Sequence, residues 1–282
     1  MRGEVPPRGF VKKKSQGPYG TEGLCRSRVA SIVSQGLEPL PSCVFDLDIL
    51  LNERIVDLTR VMQALSNFSE FSGRVLRLSN TILAGSSEFA PNVEDAVILL
   101  GPCLFHAVVL LCGVTEVGAN IFRDENAEAI WLHSVQMAIL SEQIAEQAGY
   151  PSRGAACVAG LLHDIGYLPL LVAAREEGSL LNGPGAFEWW DDVPREREIF
   201  GVDHCQIGEW MAKSWKFSPS LIDAVSHHHD PLKAKQNAAL AEIVCTAERH
   251  CPAPFRQEPA KRARMSRNSL ALLRPRGKFA EA

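Results

Sequence analysis

A chain of 282 residues, 46% apolar, has room for one or two domains and material for a sizeable core. Its net charge of −4 is unevenly spread: residues 1–28 hold seven Lys/Arg against two acids and 252–282 hold eight against two, leaving 14 basic and 29 acidic residues in 29–251. A body of net charge −15 argues against nucleic-acid binding through the folded part and confines such contacts to the basic tails.

The composition of 1–28, rich in Gly, Pro, Arg and Lys, predicts a disordered tail. Lys12-Lys13-Lys14 has no apolar segment behind it, so no secretory signal is expected. The eight cysteines form no C-x-x-C pair and several lie in apolar stretches, as expected of reduced, buried thiols in a cytoplasmic protein.

Pro39-Leu40-Pro41 reads as the loop entering a folded body that runs to about Cys251, with mostly helical apolar spacing. Leu47, Leu50 and Leu51, then Ile55, Leu58, Val61, Met62 and Leu65, then Val75, Leu76 and Leu78 recur at three- and four-residue steps, with Asn80 and Gly85 as candidate stops. The stretch from Val97 to Val114 is interrupted by Gly101-Pro102 and falls short of the roughly 20 residues of a membrane span, so it predicts a buried helix. A helix carrying His133 should end at Gly149. Trp189-Trp190, beside Gly183-Pro184-Gly185, should anchor a loop on the core or lid a pocket. Asp203 with Gln206 resembles a capping box and places His204 at a helix start. Ser218-Pro219 opens another helix, which runs into His227-His228-His229 and stops by Pro231. The chain beyond 252 reverts to a basic, turn-rich tail, expected to be disordered. The class expected is all-α.

The eight histidines carry the chemistry. Alone, His133 reads as a polar residue at a helix edge, His106 as a core histidine and His250 as exposed. His163-Asp164 follows the apolar Ala159-Gly160-Leu161-Leu162, and a buried carboxylate requires a partner. A divalent metal, an arginine or a helix N-terminus would serve. His228 and His229 diverge by about 100° on a helix, so at most one or two of the three consecutive histidines should point inward. Asp230 reads equally well as a turn residue. No phosphate loop, dinucleotide fingerprint or nucleophile elbow is present in the sequence.

The order His133, His163-Asp164, His204, His228-His229 resembles that of the HDOD domain, a helical bacterial signalling module related to the HD and HD-GYP phosphohydrolases. The resemblance covers about 37–250. It also rests on Leu40-Pro41, on Leu76-Arg77-Leu78-Ser79-Asn80, on the segment from Val93 to Gly101, on Ala159 to Gly166 and on Glu196 to His204. It implies an HD-superfamily-like bundle over 29–251, with an N-terminal helical part of about 37–122 and an HD-like part of about 127–251.

The resemblance further implies one or two divalent ions (Fe, Mn or Zn) held by His133, His163, Asp164, His204 and one or both of His228 and His229, with Asp164 as the natural bridging group. Glu248 stands where the relatives' last ligand is an aspartate. Two more departures set the chain apart: Tyr167 replaces the lysine after His-Asp-Ile-Gly, and Asp230-Pro231 stands where Gly-Tyr-Pro is expected. The function implied is regulatory or scaffolding, with signalling proteins as partners and no membrane. The alternative is a metal-dependent phosphohydrolase of a nucleotide or cyclic dinucleotide.

Overall fold

The computed structural model describes residues 26–36, 40–51, 56–83, 88–117, 125–178, 180 and 187–251, and among these no strand occurs. The helices in chain order are α1 (Arg26–Gly36), α2 (Ser42–Leu51), α3 (Leu58–Ser66), α4 (Ser69–Leu83), α5 (Val93–Val117) and α6 (Glu125–Gln147). They are followed by α7 (Arg153–Leu162), α8 (Tyr167–Glu177), α9 (Val193–Phe200), α10 (His204–Ser214), α11 (Pro219–His227) and α12 (Ala238–His250). A 3-10 turn, Pro231–Lys233, precedes α12. The all-α expectation holds.

Local chemistry sets the helix starts. Asp57, Ser152, Asp192, Asp203, Ser218 and Asn237 each accept a backbone N–H from the first turn of the helix they open. The Asp203 bond, from Gln206 N at 2.8 Å, is the backbone half of the expected capping box. Gly149, with φ 64°, closes the turn after α6.

Two expectations are corrected. Arg26, Ser27 and Arg28, assigned by composition to the tail, belong to α1, because Val29, Ile32 and Val33 give that segment a buried face. Arg28 pairs with Glu176 of α8, and the Arg26 guanidinium lies 5.3 Å from the Trp210 ring centre on α10. Asn80 is no stop. It lies inside α4, and its side-chain amide donates to Ala90 O and accepts from Ala90 N, both at 2.8 Å, clamping the approach to α5. Gly85, the Gly183-Pro184-Gly185 loop, residues 1–25 and the 252–282 tail lie outside the described residues.

α5 breaks at Gly101, whose φ of 74° needs a glycine, next to Pro102. The apolar stretches Val93–Val114 and Arg153–Glu176 are long enough to cross a membrane by length and composition, yet 67% and 89% of their most apolar windows are buried inside the body. α7 is the central helix: every residue from Ala156 to Leu162 is buried. It packs against α5, α6, α11 and α12. Its C-terminal end thus opens into the middle of the bundle, where His163-Asp164 forms the turn to α8.

Candidate metal centre

Four elements bring imidazoles to that turn. His163 caps α7 and Asp164 follows it, His133 comes from the middle of α6, and His204 is the first residue of α10. His228 and His229 lie just past the end of α11. His228 is buried, and His229, the more exposed of the two, still reaches His204 through Nε2, so the inward count stays within the one or two expected. His227 stays half-exposed, with Nε2 3.7 Å from Asp223.

Asp164 sits at the centre, 2% exposed. Its Oδ2 lies 3.3 Å from His163 Nε2 and 3.6 Å from His133 Nε2. Its Oδ1 faces the other way, 3.6 Å from His204 Nε2 and 3.7 Å from His228 Nε2. His229 Nε2 approaches His204 Nε2 at 3.0 Å, and its Nδ1 lies 3.6 Å from Glu248 on α12. All seven side chains named from the sequence therefore converge. His106 is buried away from this set and His250 is exposed, its Nδ1 donating to Thr246 O.

The outer bonds fix which nitrogen faces inward. His163 Nδ1 is 2.7 Å from Gly160 O and His228 Nδ1 is 2.8 Å from Val225 O. A carbonyl only accepts, so both rings donate from Nδ1 and, when neutral, present a lone pair at Nε2. His204 Nδ1 meets Glu196 Oε2 at 2.8 Å, and Glu196 also accepts the His204 backbone N–H. This is the outer-sphere pattern of metal-ligating histidines.

The inward atoms lack partners of their own. His133 Nε2, His163 Nε2 and Asp164 Oδ1 are buried with no hydrogen bond, a costly condition for polar atoms. His204 and His228 bring Nε2 atoms to 3.2 Å of each other. A proton on His204 would satisfy one such contact; a cation would satisfy all of them. Ligands about 2.0–2.1 Å from one tetrahedral ion stand about 3.3 Å apart, close to the spacing found. The residues present fit a divalent ion, and the Asp164 oxygens divide them into two groups.

Burial and repulsion from His163, only partly offset by Asp164, lower the His133 pKa to about 4. Burial and repulsion from His204 lower His229 to about 4, and burial with repulsion from His229 holds His228 well below its usual value. These rings stay neutral, the form that binds metal. Burial opposes ionisation of Asp164, but His163 and the other imidazoles outweigh it and hold the carboxyl well below its usual range. Burial and the nearby Asp164 raise Glu248 to about 7.

Several contributors escaped sequence reasoning. Glu196 lies in Arg195-Glu-Arg-Glu198, which reads as a solvated helix face, yet it is fully buried. Asp191, with Oδ1 4.0 Å from His229 Nε2, and Cys205, beside His204, also join the cluster. Tyr167, in the lysine position, supplies no cation. Its hydroxyl donates to Glu196 Oε1 at 2.7 Å and accepts from Asp191 N at 2.9 Å. Its ring stacks between His204, at 4.1 Å, and Trp190, at 3.7 Å. Trp189 and Trp190 are both buried, which makes them the loop's anchor.

The architecture recurs in solved structures. A candidate phosphohydrolase from Shewanella amazonensis superposes with a TM-score of 0.59 at 25% identity, covering 88% of each chain. An HDOD domain protein of unknown function from Geobacter sulfurreducens gives 0.60 at 22%, over 88% of this chain and 91% of that one. A candidate signal transduction protein from Marinobacter aquaeolei gives 0.61 at 16%, over 88% and 62%. Among curated sequences, ribonuclease Y of Deinococcus radiodurans is 30% identical over 139 residues, 49% of this chain and 18% of its own length. Ribonuclease Y of Mycoplasmoides gallisepticum is 29% identical over 113 residues, 40% and 16%. The chain thus spans less than a fifth of these curated relatives. The HDOD domain profile matches residues 37–231, and the chain belongs to the HDOD-domain family.

Proposed function

We propose that this chain is a bacterial signal-transduction module of the cytoplasm, regulatory or scaffolding in role, built around a divalent-metal centre. The observation that carries the regulatory reading is the enclosure of that centre. His133, His163, Asp164, His204 and His228 are all at most 3% exposed, and Tyr167 with Trp190 stacks over His204 where a phosphohydrolase relative would offer a lysine. Such a centre ties α6, α7, α10 and the end of α11 together and gives partner proteins a rigid surface. Here His133, His163 and Asp164 would hold one ion of Fe, Mn or Zn, with His204, His228, His229 and Glu248 around a second position.

A second reading, hydrolysis of a nucleotide or cyclic dinucleotide, is favoured by Asp164, whose two oxygens address different histidine groups. Paired divalent ions would supply Lewis-acid polarisation of a phosphoryl oxygen and a more acidic water. Glu248, with a pKa near 7, would hold or release a proton at the more open edge formed with His229 and Asp191.

Tag-free protein assayed for Fe, Mn and Zn, then for hydrolysis of cyclic dinucleotides and generic phosphodiesters beside His163→Ala and Asp164→Ala, separates the two. Stoichiometric metal without turnover supports the regulatory reading. Turnover that depends on the doublet replaces it with the enzymatic one. The basic tails are tested by deleting 1–25 and 252–282, which leaves α1 intact; RNA or DNA affinity that vanishes with them belongs to the tails.

A further inference from the structure

Cys205 follows His204 in the first turn of α10, and the ligand set implied by the family resemblance does not include it. Its Sγ lies 3.4 Å from His204 Nε2 and 4.0 Å from His228 Nε2, and the side chain is buried. The ligating atoms of His204, Cys205, His228 and His229 all lie within 4.8 Å of one another. Around a tetrahedral zinc ion, with Zn–N about 2.0–2.1 Å and Zn–S about 2.3 Å, two nitrogens stand about 3.3 Å apart and nitrogen and sulfur about 3.5 Å. The separations of 3.0, 3.2, 3.4 and 4.0 Å bracket these values. A second observation points to the same place: Asp164 Oδ1, buried and without a hydrogen bond, faces His204 and His228.

A thiol–imidazole hydrogen bond is the ordinary alternative, but it leaves the arrangement unexplained. His204 Nε2 is already crowded by two other imidazole nitrogens, so one more donor relieves one contact and leaves the rest. Cys251 offers a contrast. Its Sγ is 3.6 Å from His133 Nδ1, the ring nitrogen that faces away from Asp164, and its thiol donates to Gln136 Oε1 at 3.3 Å. That cysteine is accounted for without a metal.

We propose that Cys205, with His204, His228 and His229, forms a three-histidine, one-thiolate subsite selective for zinc. His133, His163 and Asp164 then form the nitrogen–oxygen half, better suited to manganese or iron. The proposal rests on the reading that the centre holds metal, and it makes the two halves chemically unequal. On binding, the thiol proton leaves to solvent as the S–Zn bond forms, with no change of oxidation state.

The test uses the full-length, tag-free protein, stripped by chelator and reloaded with one equivalent of Co2+ or Zn2+. Cobalt should give a thiolate-to-metal charge-transfer band that Cys205→Ser abolishes and Cys251→Ser retains. Zinc affinity should fall at least about tenfold in Cys205→Ser while manganese affinity stays within about twofold. X-ray absorption on the zinc-loaded unsubstituted protein, which involves no variant and so no folding risk, should show one sulfur at about 2.3 Å. Metal bound with only nitrogen and oxygen neighbours overturns the thiolate subsite and leaves the metal centre standing. A protein that binds neither ion overturns both.

Discussion

A methyl group at Gly166 would overlap the His204 carbonyl oxygen and stand 2.8 Å from Gly208 N. The turn after His163-Asp164 therefore touches the start of α10 backbone to backbone, and Gly166→Ala can be accommodated only by moving His204. We expect a loss of at least about 1–3 kcal/mol of stability, the usual cost of overpacking, together with weakened metal binding. A denaturant midpoint within about 0.5 kcal/mol of the parent would show that the contact is loose. Glu196 acts on the same histidine through Nδ1. Glu196→Gln keeps the shape and removes the charge, so metal affinity should fall about 10–100-fold while far-ultraviolet helicity is unchanged; equilibrium dialysis reads the difference. At this scale the inward histidines were legible through the order His133, His163-Asp164, His204, His228-His229 that carries the family resemblance, since taken singly each had an ordinary alternative. Glu196 was not. Its flanking arginines give it the local pattern of a solvated face, and its burial follows from how α9 lies against α8 and α10, which no local pattern encodes.

Among the elements, α11 shows how a short helix aims two adjacent side chains. Ser218 accepts the Leu221 N–H at 3.3 Å and Pro219 opens the helix, while the chain leaves helical geometry after His228 and makes a 3-10 turn at Pro231–Lys233. His228 is buried at that end, and His229, the more exposed of the pair, reaches His204 through Nε2. Ser218→Ala should cost about 1 kcal/mol, read as a lower denaturant midpoint at constant slope; an unchanged midpoint would mean that packing alone holds the helix start. Caps of this kind were readable from sequence, as were Gly149 and Ser218-Pro219. The start of α1 was not, because three arginine and serine residues resemble a tail until Val29, Ile32 and Val33 are seen to face α8 and α10. Asn80 misled for a related reason: a helix-disfavouring residue is retained because Ala90 offers both partners its amide needs.

For the whole molecule, a divalent ion in the proposed centre would link bundle stability to metal and to pH. A ligand that binds only the folded chain stabilises it by about 2.7 kcal/mol at 100 times its dissociation constant. Chelation should therefore lower the thermal midpoint measurably. The pH sign follows from the groups that must lose protons to ligate. Glu248 has a pKa near 7; against burial, Asp164 holds His163 above its ordinary value, and Cys205, then Glu196, hold His204 well above its own. Protons and metal compete for these atoms, so affinity should fall as pH drops through 7, by about tenfold per unit wherever one proton is displaced. Isothermal titration at pH 6, 7 and 8 reads this; affinity independent of pH would place the ion elsewhere.

The proposed role of Asp164 is to hold two histidine groups around divalent metal. Its most direct test is the metal content of the full-length, tag-free protein beside Asp164→Asn, a substitution that keeps the side-chain shape and removes the shared charge. The parent should carry about one to two equivalents of divalent ion and the variant should lose most of it, with helicity preserved. A parent that binds no metal, or a variant that binds as much as the parent, would contradict it.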